Sequence, residues 1–185
     1  MYRPVLHALA RFVRDTRASL TVEAVIVMPM LFWAFGASYV FFDVFRENSV
    51  GEKASYTIAD MMSRETGFIT PTYMDNTLTL LSQLTDEDES DLGVRVSVIR
   101  WDDEDSTYDL RWSQARGNAV AHDADTVSNW GDVLPVMVDE EQIILVETFV
   151  RYQPAVRVGL GERTLQTFVY TRPRFAPQLV WNDND

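Results

Sequence analysis

Glu23 is an acidic residue placed directly before a long apolar run. From Ala24 to Phe42 the sequence contains no charged residue, and a helix of that length spans roughly 28 Å, about the thickness of the hydrocarbon core of a bilayer. A carboxylate at the edge of such a segment either reaches the headgroup boundary or pairs with a cation in a low-dielectric environment. Only the second interpretation gives Glu23 a role in recognition.

Proteolysis could supply the cation. Cleavage between Ala18 and Ser19 would leave a free α-ammonium group on Ser19, four residues before Glu23. In a polymer of parallel helices this ammonium can face the carboxylate of a neighbouring subunit, so that each group reduces the desolvation cost of the other. This second interpretation requires a segment that is cut and then assembles.

The remaining titratable residues form no catalytic or metal-binding pattern. The chain has two histidines, His7 and His122, and no cysteine, and it lacks the G-x-S-x-G, H-E-x-x-H and glycine-rich phosphate-loop motifs. The acidic run Asp86–Asp91 lacks the glycine and the carboxylate that an EF-hand loop needs at its sixth and twelfth positions. We therefore expect no enzymatic activity, no cofactor and no metal site.

The charge of the chain is unevenly distributed about the apolar run. The net charge is −12, yet residues 1–18 contain four arginines and a single acid. Basic residues that flank a membrane span remain on the cytoplasmic side. The sequence thus predicts a single-pass protein of the cytoplasmic (inner) membrane, with its N-terminus inside and its acidic part outside, in the periplasm. Such an acidic part argues against binding to nucleic acid.

The periodicity of the rest of the chain predicts an α+β fold. An amphipathic pattern continues the first helix to about Thr66, and a second helix follows from Pro71 to about Leu84. Alternating or apolar segments at 94–101, 107–112, 142–152 and 164–171 predict two hairpins. In the second of these segments we expect Tyr108, Leu110 and Trp112 to share one face.

These elements define the expected organisation of the chain. One long N-terminal helix, transmembrane in its first half, is expected to pack on an antiparallel sheet of about four strands. The expected segments are a cytoplasmic leader at 1–18, a transmembrane and assembly helix at 19–44, an amphipathic continuation at 45–67 and an extracytoplasmic α+β domain at 68–185.

The N-terminal motif resembles the signal of type IV pilins. A basic leader, a small residue, the run S-L-T-V-E and an apolar helix follow one another, and Pro29 stands six residues after Glu23. This makes the segment similar to the TadE/TadG-like minor pseudopilins of the tight-adherence (Flp, type IVc) pilus system. The chain departs from that pattern at Ala18, where glycine is usual, and at Ala24, where an aromatic residue is common. The matching residues are Arg17, Ser19, Val22, Glu23, Val25 and Pro29.

A second region of resemblance lies near the C-terminus. TadE-like domains carry a strand of the pattern V-E-[V/T]-x-[V/Y]-x-Y-x-P and a last strand that leads into R-P-R. The corresponding residues of this chain are Glu147, Tyr152, Pro154, Arg172, Pro173 and Arg174.

The resemblance implies a structural subunit of an adhesive pilus. A prepilin-type peptidase would cut between Ala18 and Ser19, Glu23 would set the axial register, and Pro29 would kink the helix. The implied partners are other pilin or pseudopilin subunits, the pilus assembly platform and, before assembly, membrane lipid. Two alternatives remain open: an unprocessed single-span membrane-anchored interaction or scaffold protein, and a secreted domain cut within Ala34–Gly36.

Overall fold

The protein is described by a computed structural model that covers residues 16–156 and 158–184, with side chains from Leu20 onward. Most of the predicted leader lies outside these residues. The helices and strands are α1 (Thr16–Ser63), α2 (Pro71–Thr85), a 3-10 turn (Glu89–Asp91), β1 (Leu92–Asp102), β2 (Thr107–Gly117), α3 (Ala124–Val127), β3 (Gln142–Tyr152) and β4 (Arg163–Thr171). This order confirms the predicted α+β class.

The chain divides into two compact units. The first comprises α1 up to Asp43 together with the connection Pro154–Gly161, and the second comprises Val44–Gln153 and the chain from Glu162 onward. Helix α1 runs without interruption through Pro29 and across the boundary at Asp43. It ends at Ser63, three residues before the predicted end.

Helix α2 begins and ends at residues that satisfy its free backbone groups. The hydroxyl of Thr70 accepts a hydrogen bond from the backbone N–H of Tyr73 at 3.3 Å, and Pro71 occupies the first helical position, where no N–H is needed. At the other end Asp86 adopts a left-handed conformation, and its N–H donates to the carbonyl of Ser82. The second predicted helix is therefore confirmed.

The four strands form one antiparallel sheet in the order β2-β1-β3-β4. Two hairpins, β1–β2 and β3–β4, meet through β1 and β3, so these central strands have neighbours on both sides. The second half of α1 and all of α2 cover one face of the sheet, and the main core lies between these layers. Its largest fully buried side chains are Ile58, Met62, Ile69, Met74, Leu81, Leu92 and Ile144.

Small residues of α1 allow close packing of the helix on the sheet. Gly51 lies opposite Val150 and Thr167. One turn further along, the buried hydroxyl of Ser55 shares a 2.6 Å hydrogen bond with the hydroxyl of Thr148 in β3. Both hydroxyls are fully buried, so the bond satisfies two polar groups that burial would otherwise penalise.

A β-bulge at Arg111 makes one expectation from the sequence wrong. Val98 pairs with Trp112, but the next residue of β1, Ile99, pairs with Leu110, so Arg111 is the extra residue. Trp112 consequently packs against the helix side of the sheet, while Tyr108 and Leu110 pack on the opposite side. Because side-chain direction alternates along a strand, one inserted residue separates side chains that a regular strand would keep together.

The second face of the sheet is also covered. The segment between β2 and β3 places buried side chains over Ile99, Ile143 and Leu145. The strands β1 and β3 are therefore buried on both faces. The covering residues are Val127, Leu134 and Met137, with Trp130 partly buried beside them.

Tyr73 makes the stability of this domain sensitive to alkaline pH. Its hydroxyl is buried, and burial, followed by the negative charge of the nearby Glu65 carboxylate, raises the pKa of Tyr73 to about 12 from an ordinary value of 10.0. The neutral phenol is favoured in the folded state, so this contribution to stability is complete below pH 10 and is lost as the pH rises from 10 towards 12.

We expect the Tyr73→Phe variant to lose less stability than the native chain between pH 9 and about pH 11. Urea unfolding in a neutral detergent, followed by near-ultraviolet circular dichroism at both pH values, measures the difference. Tyr56→Phe is the matched control because Tyr56 is 58% exposed. An identical pH dependence in the native chain and both variants would contradict the assignment.

Candidate functional site

The first candidate site is the apolar surface of α1 in the first unit. In the most apolar window of this helix only 6% of the residues are buried, and the helix is long and apolar enough to cross a membrane by length and composition. Phe35 is 76% exposed and Phe42 is 77% exposed. So large an apolar surface is unfavourable in water, which indicates that lipid or other protein chains cover it.

One side of this helix is covered by the chain itself. Val158, in the connection between β3 and β4, is buried and lies close to Gly36. Aromatic side chains on the other sides of the same stretch remain exposed, among them Tyr39 and Phe41. The part of the helix whose apolar side chains are exposed on all sides therefore lies before Gly36.

Glu23 lies at the beginning of this exposed surface. Its side chain is exposed, and within the part of the chain that the structure describes it makes no hydrogen bond or ion pair. The backbone of Ala18 and Ser19 lies in the first turn of α1. Pro29 lies inside the helix, where its missing N–H leaves the carbonyl of Val25 without its usual donor. The predicted roles of these four residues in cleavage, register and kinking stay predictions.

The second candidate site is a buried ionic cluster around Glu147 in β3. Glu147 is 2% exposed and lies directly opposite Arg95 of β1 in the sheet. The two side chains form a bidentate pair, in which Nε and Nη2 of Arg95 donate to Oε2 and Oε1 of Glu147 at 2.7 Å each. His122 Nε2 lies 2.8 Å from Oε2, and Gln166 Nε2 donates to Oε1 at 3.0 Å.

These four contacts use the full accepting capacity of the carboxylate. Each oxygen of Glu147 accepts two hydrogen bonds, and an ionised carboxylate offers about four lone-pair positions. His122 Nε2 occupies one of these four positions. A saturated carboxylate has no position left for a substrate or a metal ion. The role of the cluster is therefore structural.

The cluster around Glu147 holds the segment between β2 and β3 on the sheet. Arg95 also donates from Nη1 to the carbonyl of Val120 at 2.7 Å, and the backbone N–H of His122 donates to the hydroxyl of Ser113 at 2.9 Å. The ring of His122 meets the ring of Trp130 edge-on, with centroids 4.6 Å apart. One buried acid thus links β1, β3, β4 and the chain that follows β2.

The other residues of the C-terminal motif hold the ends of secondary-structure elements. Arg174 donates its backbone N–H to the carbonyl of Ser63, the last residue of α1, at 2.7 Å, and its guanidinium pairs with Asp60 at 3.3 Å. Arg172 pairs with Glu141, which lies just before β3. The two arginines of the R-P-R motif therefore attach the C-terminal tail to the end of α1 and to the start of β3.

Tyr152, Pro154 and Pro173 complete the set of predicted residues. Tyr152 is the last residue of β3 and is 5% exposed. Pro154 and Pro173 are half-buried. None of these three residues lies in the cluster around Glu147, and the motif is therefore distributed along the domain and does not form one site.

The sequence analysis did not identify the partners of Glu147. A signal was present, since Glu147 is the only charged residue in the otherwise apolar run from Ile143 to Val150, and a buried charge requires a partner. In the folded sheet, the register of β1 against β3 places Arg95 directly opposite the acid. Nothing local marked His122 or Gln166, which approach Glu147 only in the folded domain.

Comparisons of the chain with protein-family models, with curated proteins and with solved structures found no match. The resemblance to pseudopilins therefore rests on the motif residues named above.

We expect Glu147→Gln to destabilise the domain by about 3–5 kcal/mol, because it leaves the guanidinium of Arg95, whose side chain is 13% exposed, without its counter-charge. Equilibrium unfolding by urea measures this loss. The matched control is Glu162→Gln, which removes an acid from an ion pair with Arg151 in which both side chains are 49% exposed, and which we expect to cost less than about 1 kcal/mol. Equal losses in the two variants would show that Glu147 does not organise the domain.

Proposed function

We propose that this protein is a minor pseudopilin, a structural subunit for the assembly of a tight-adherence (Flp) type IV pilus. One observation carries the proposal: a single continuous helix has an uncovered apolar first part and continues into the core of an α+β domain. A subunit that moves from a bilayer into a filament needs such a helix, because the same apolar surface must contact lipid before assembly and other helices afterwards.

The motif at the start of the helix supports this function over a plain membrane anchor. An anchor needs only apolar length, and an acid beside the span adds a cost without a benefit. In the proposed subunit, a prepilin-type peptidase removes residues 1–18, and the new ammonium group of Ser19 pairs with Glu23 of a neighbouring subunit. The exposed and unpaired state of Glu23 in the described part of the single chain is consistent with a partner on another chain.

Glu23 is proposed to fix the axial position of each subunit. Lipid chains and neighbouring apolar helices are similar environments, so apolar contact alone favours no particular register between helices. A pair of opposite charges does favour one register, since displacement along the axis leaves both charges unpaired in a low-dielectric environment. The N-terminus would lie in the cytoplasm and the acidic domain in the periplasm, in the inner membrane or incorporated in the pilus.

We expect Glu23→Gln to leave membrane insertion intact and to prevent incorporation of the protein into pili. The amide keeps the size of the side chain but cannot neutralise an ammonium group. Sheared pili and membranes from cells that express the variant, probed with an antibody to the acidic domain, measure the two outcomes separately.

The matched control is Glu52→Gln, which removes an exposed acid from the same helix outside the apolar run. We expect this variant to be incorporated normally. Normal incorporation of Glu23→Gln would rule out the pairing mechanism, and a protein never found in pili, in native or variant form, would favour the membrane-anchored scaffold.

A further inference from the structure

A cleft at the tip of the β1–β2 hairpin has the features of a small-molecule site. It has a volume of about 340 Å³, which falls within the usual range for such sites. No residue assigned to pilus assembly lines it, so the inference drawn from it does not depend on the proposed function. Its lining includes Trp101, Asp103, Tyr108, Val136 and Met137.

Two aromatic side chains give the cleft a fixed wall. The rings of Trp101 and Tyr108 lie with their centroids 4.7 Å apart and their planes tilted by 59°. The hydroxyl of Tyr108 donates to the carbonyl of Pro135 at 3.1 Å, which holds this ring against the covering segment. Met137, which is 7% exposed, belongs to the core beside them. The negative face of an aromatic ring attracts cations. Trp101 is half-buried whereas Tyr108 is only 7% exposed, so Trp101 is the ring with surface left for a ligand, and Tyr108 supports it.

Acidic residues outnumber basic residues around the cleft. The hairpin segment 101–109 contains five acidic residues, the covering segment 123–141 contains six, and neither contains a lysine or an arginine. Arg100, which directly precedes the first segment, is already engaged by Asp102, Asp109 and Glu140. An anion would be repelled from this part of the domain, whereas a cation would be attracted to it.

Asp103 brings a negative charge to the cleft itself. It lines the cleft beside Trp101, whose indole N–H donates to Oδ1 of Asp103 across 3.4 Å. Among the described residues Asp103 has no ion-pair partner. Its carboxylate can therefore serve as the counter-charge of a bound cation.

We propose that this cleft binds a small alkylated ammonium ion, with the cationic group against Trp101 and its charge balanced by Asp103. The lining favours a methylated ammonium over a primary one, because a primary ammonium is strongly hydrated and needs several acceptors to replace its water. Val136 and Met137 suit the apolar surface of the methyl groups. The ligand is a free ion and not a lipid headgroup. The phosphate of a choline lipid would lie close to the acidic residues around the cleft and would be repelled by them.

Choline and its uncharged carbon isostere, 3,3-dimethyl-1-butanol, test the role of the charge at constant shape. The full chain in a neutral maltoside detergent is titrated with each compound, and the indole N–H signals of the tryptophans are followed by nuclear magnetic resonance. We expect choline to shift the Trp101 signal with a dissociation constant on the order of 1 mM and the isostere to bind at least about tenfold more weakly. Equal binding of the two compounds, or no Trp101 shift with about 100 mM choline, would overturn the proposal.

Phosphocholine tests whether the ligand is the free cation. Since it adds a phosphate to the same ammonium group, we expect it to bind several-fold more weakly than choline, with a smaller difference at high salt. Phosphocholine that binds as tightly as choline would show that the acidic residues around the cleft do not repel a phosphate group.

Asp103→Asn and Glu104→Gln form a matched pair of variants. Each removes one negative charge from the same exposed turn, but Glu104 does not line the cleft. We expect choline binding to fall about fivefold or more in Asp103→Asn and to change less than about twofold in Glu104→Gln. An unchanged Trp130 signal in both variants shows that the fold is intact, and equal effects of the two substitutions would refute a specific role for Asp103.

Discussion

One helix has to satisfy two different environments, and the architecture depends on this constraint. In its first part α1 presents apolar side chains on all sides before Gly36, which no surface of the described chain covers. In its second part the same helix has Gly51 and Ser55 where it lies on the sheet, and Ile58 and Met62 in the core. The two environments therefore meet within one continuous helix.

A buried acid plays the corresponding role on the other face of the sheet. The carboxylate of Glu147 would be costly inside the domain if any of its accepting positions were empty, and four donors from different parts of the chain fill them. This requirement selects one arrangement of the long segment between β2 and β3, which has little regular structure of its own. The cleft at the hairpin tip is formed partly by that same segment, so its shape depends on how the segment is held.

The sequence predicted features that arise from local pattern and missed those that arise from distant contacts. The charge-free run predicted α1, Thr70 and Pro71 predicted the start of α2, and apolar alternation predicted the strands, because each of these signals lies within a few residues. The bulge at Arg111 was missed because it depends on how β2 pairs with β1. The cluster around Glu147 was missed because Arg95, His122 and Gln166 are separated from it by 52, 25 and 19 residues.

Cleavage of the chain before Ser19 is the central claim of the functional account, since the cationic partner of Glu23 exists only after that cut. The most direct measurement is the N-terminal sequence of the protein isolated from membranes, obtained by mass spectrometry of the intact chain and of its terminal peptide. The account predicts a mature chain that begins at Ser19 and has lost residues 1–18. A chain that begins at Met1 would contradict it and would favour an unprocessed membrane anchor, and a chain that begins near Ala37 would contradict it in favour of a secreted domain.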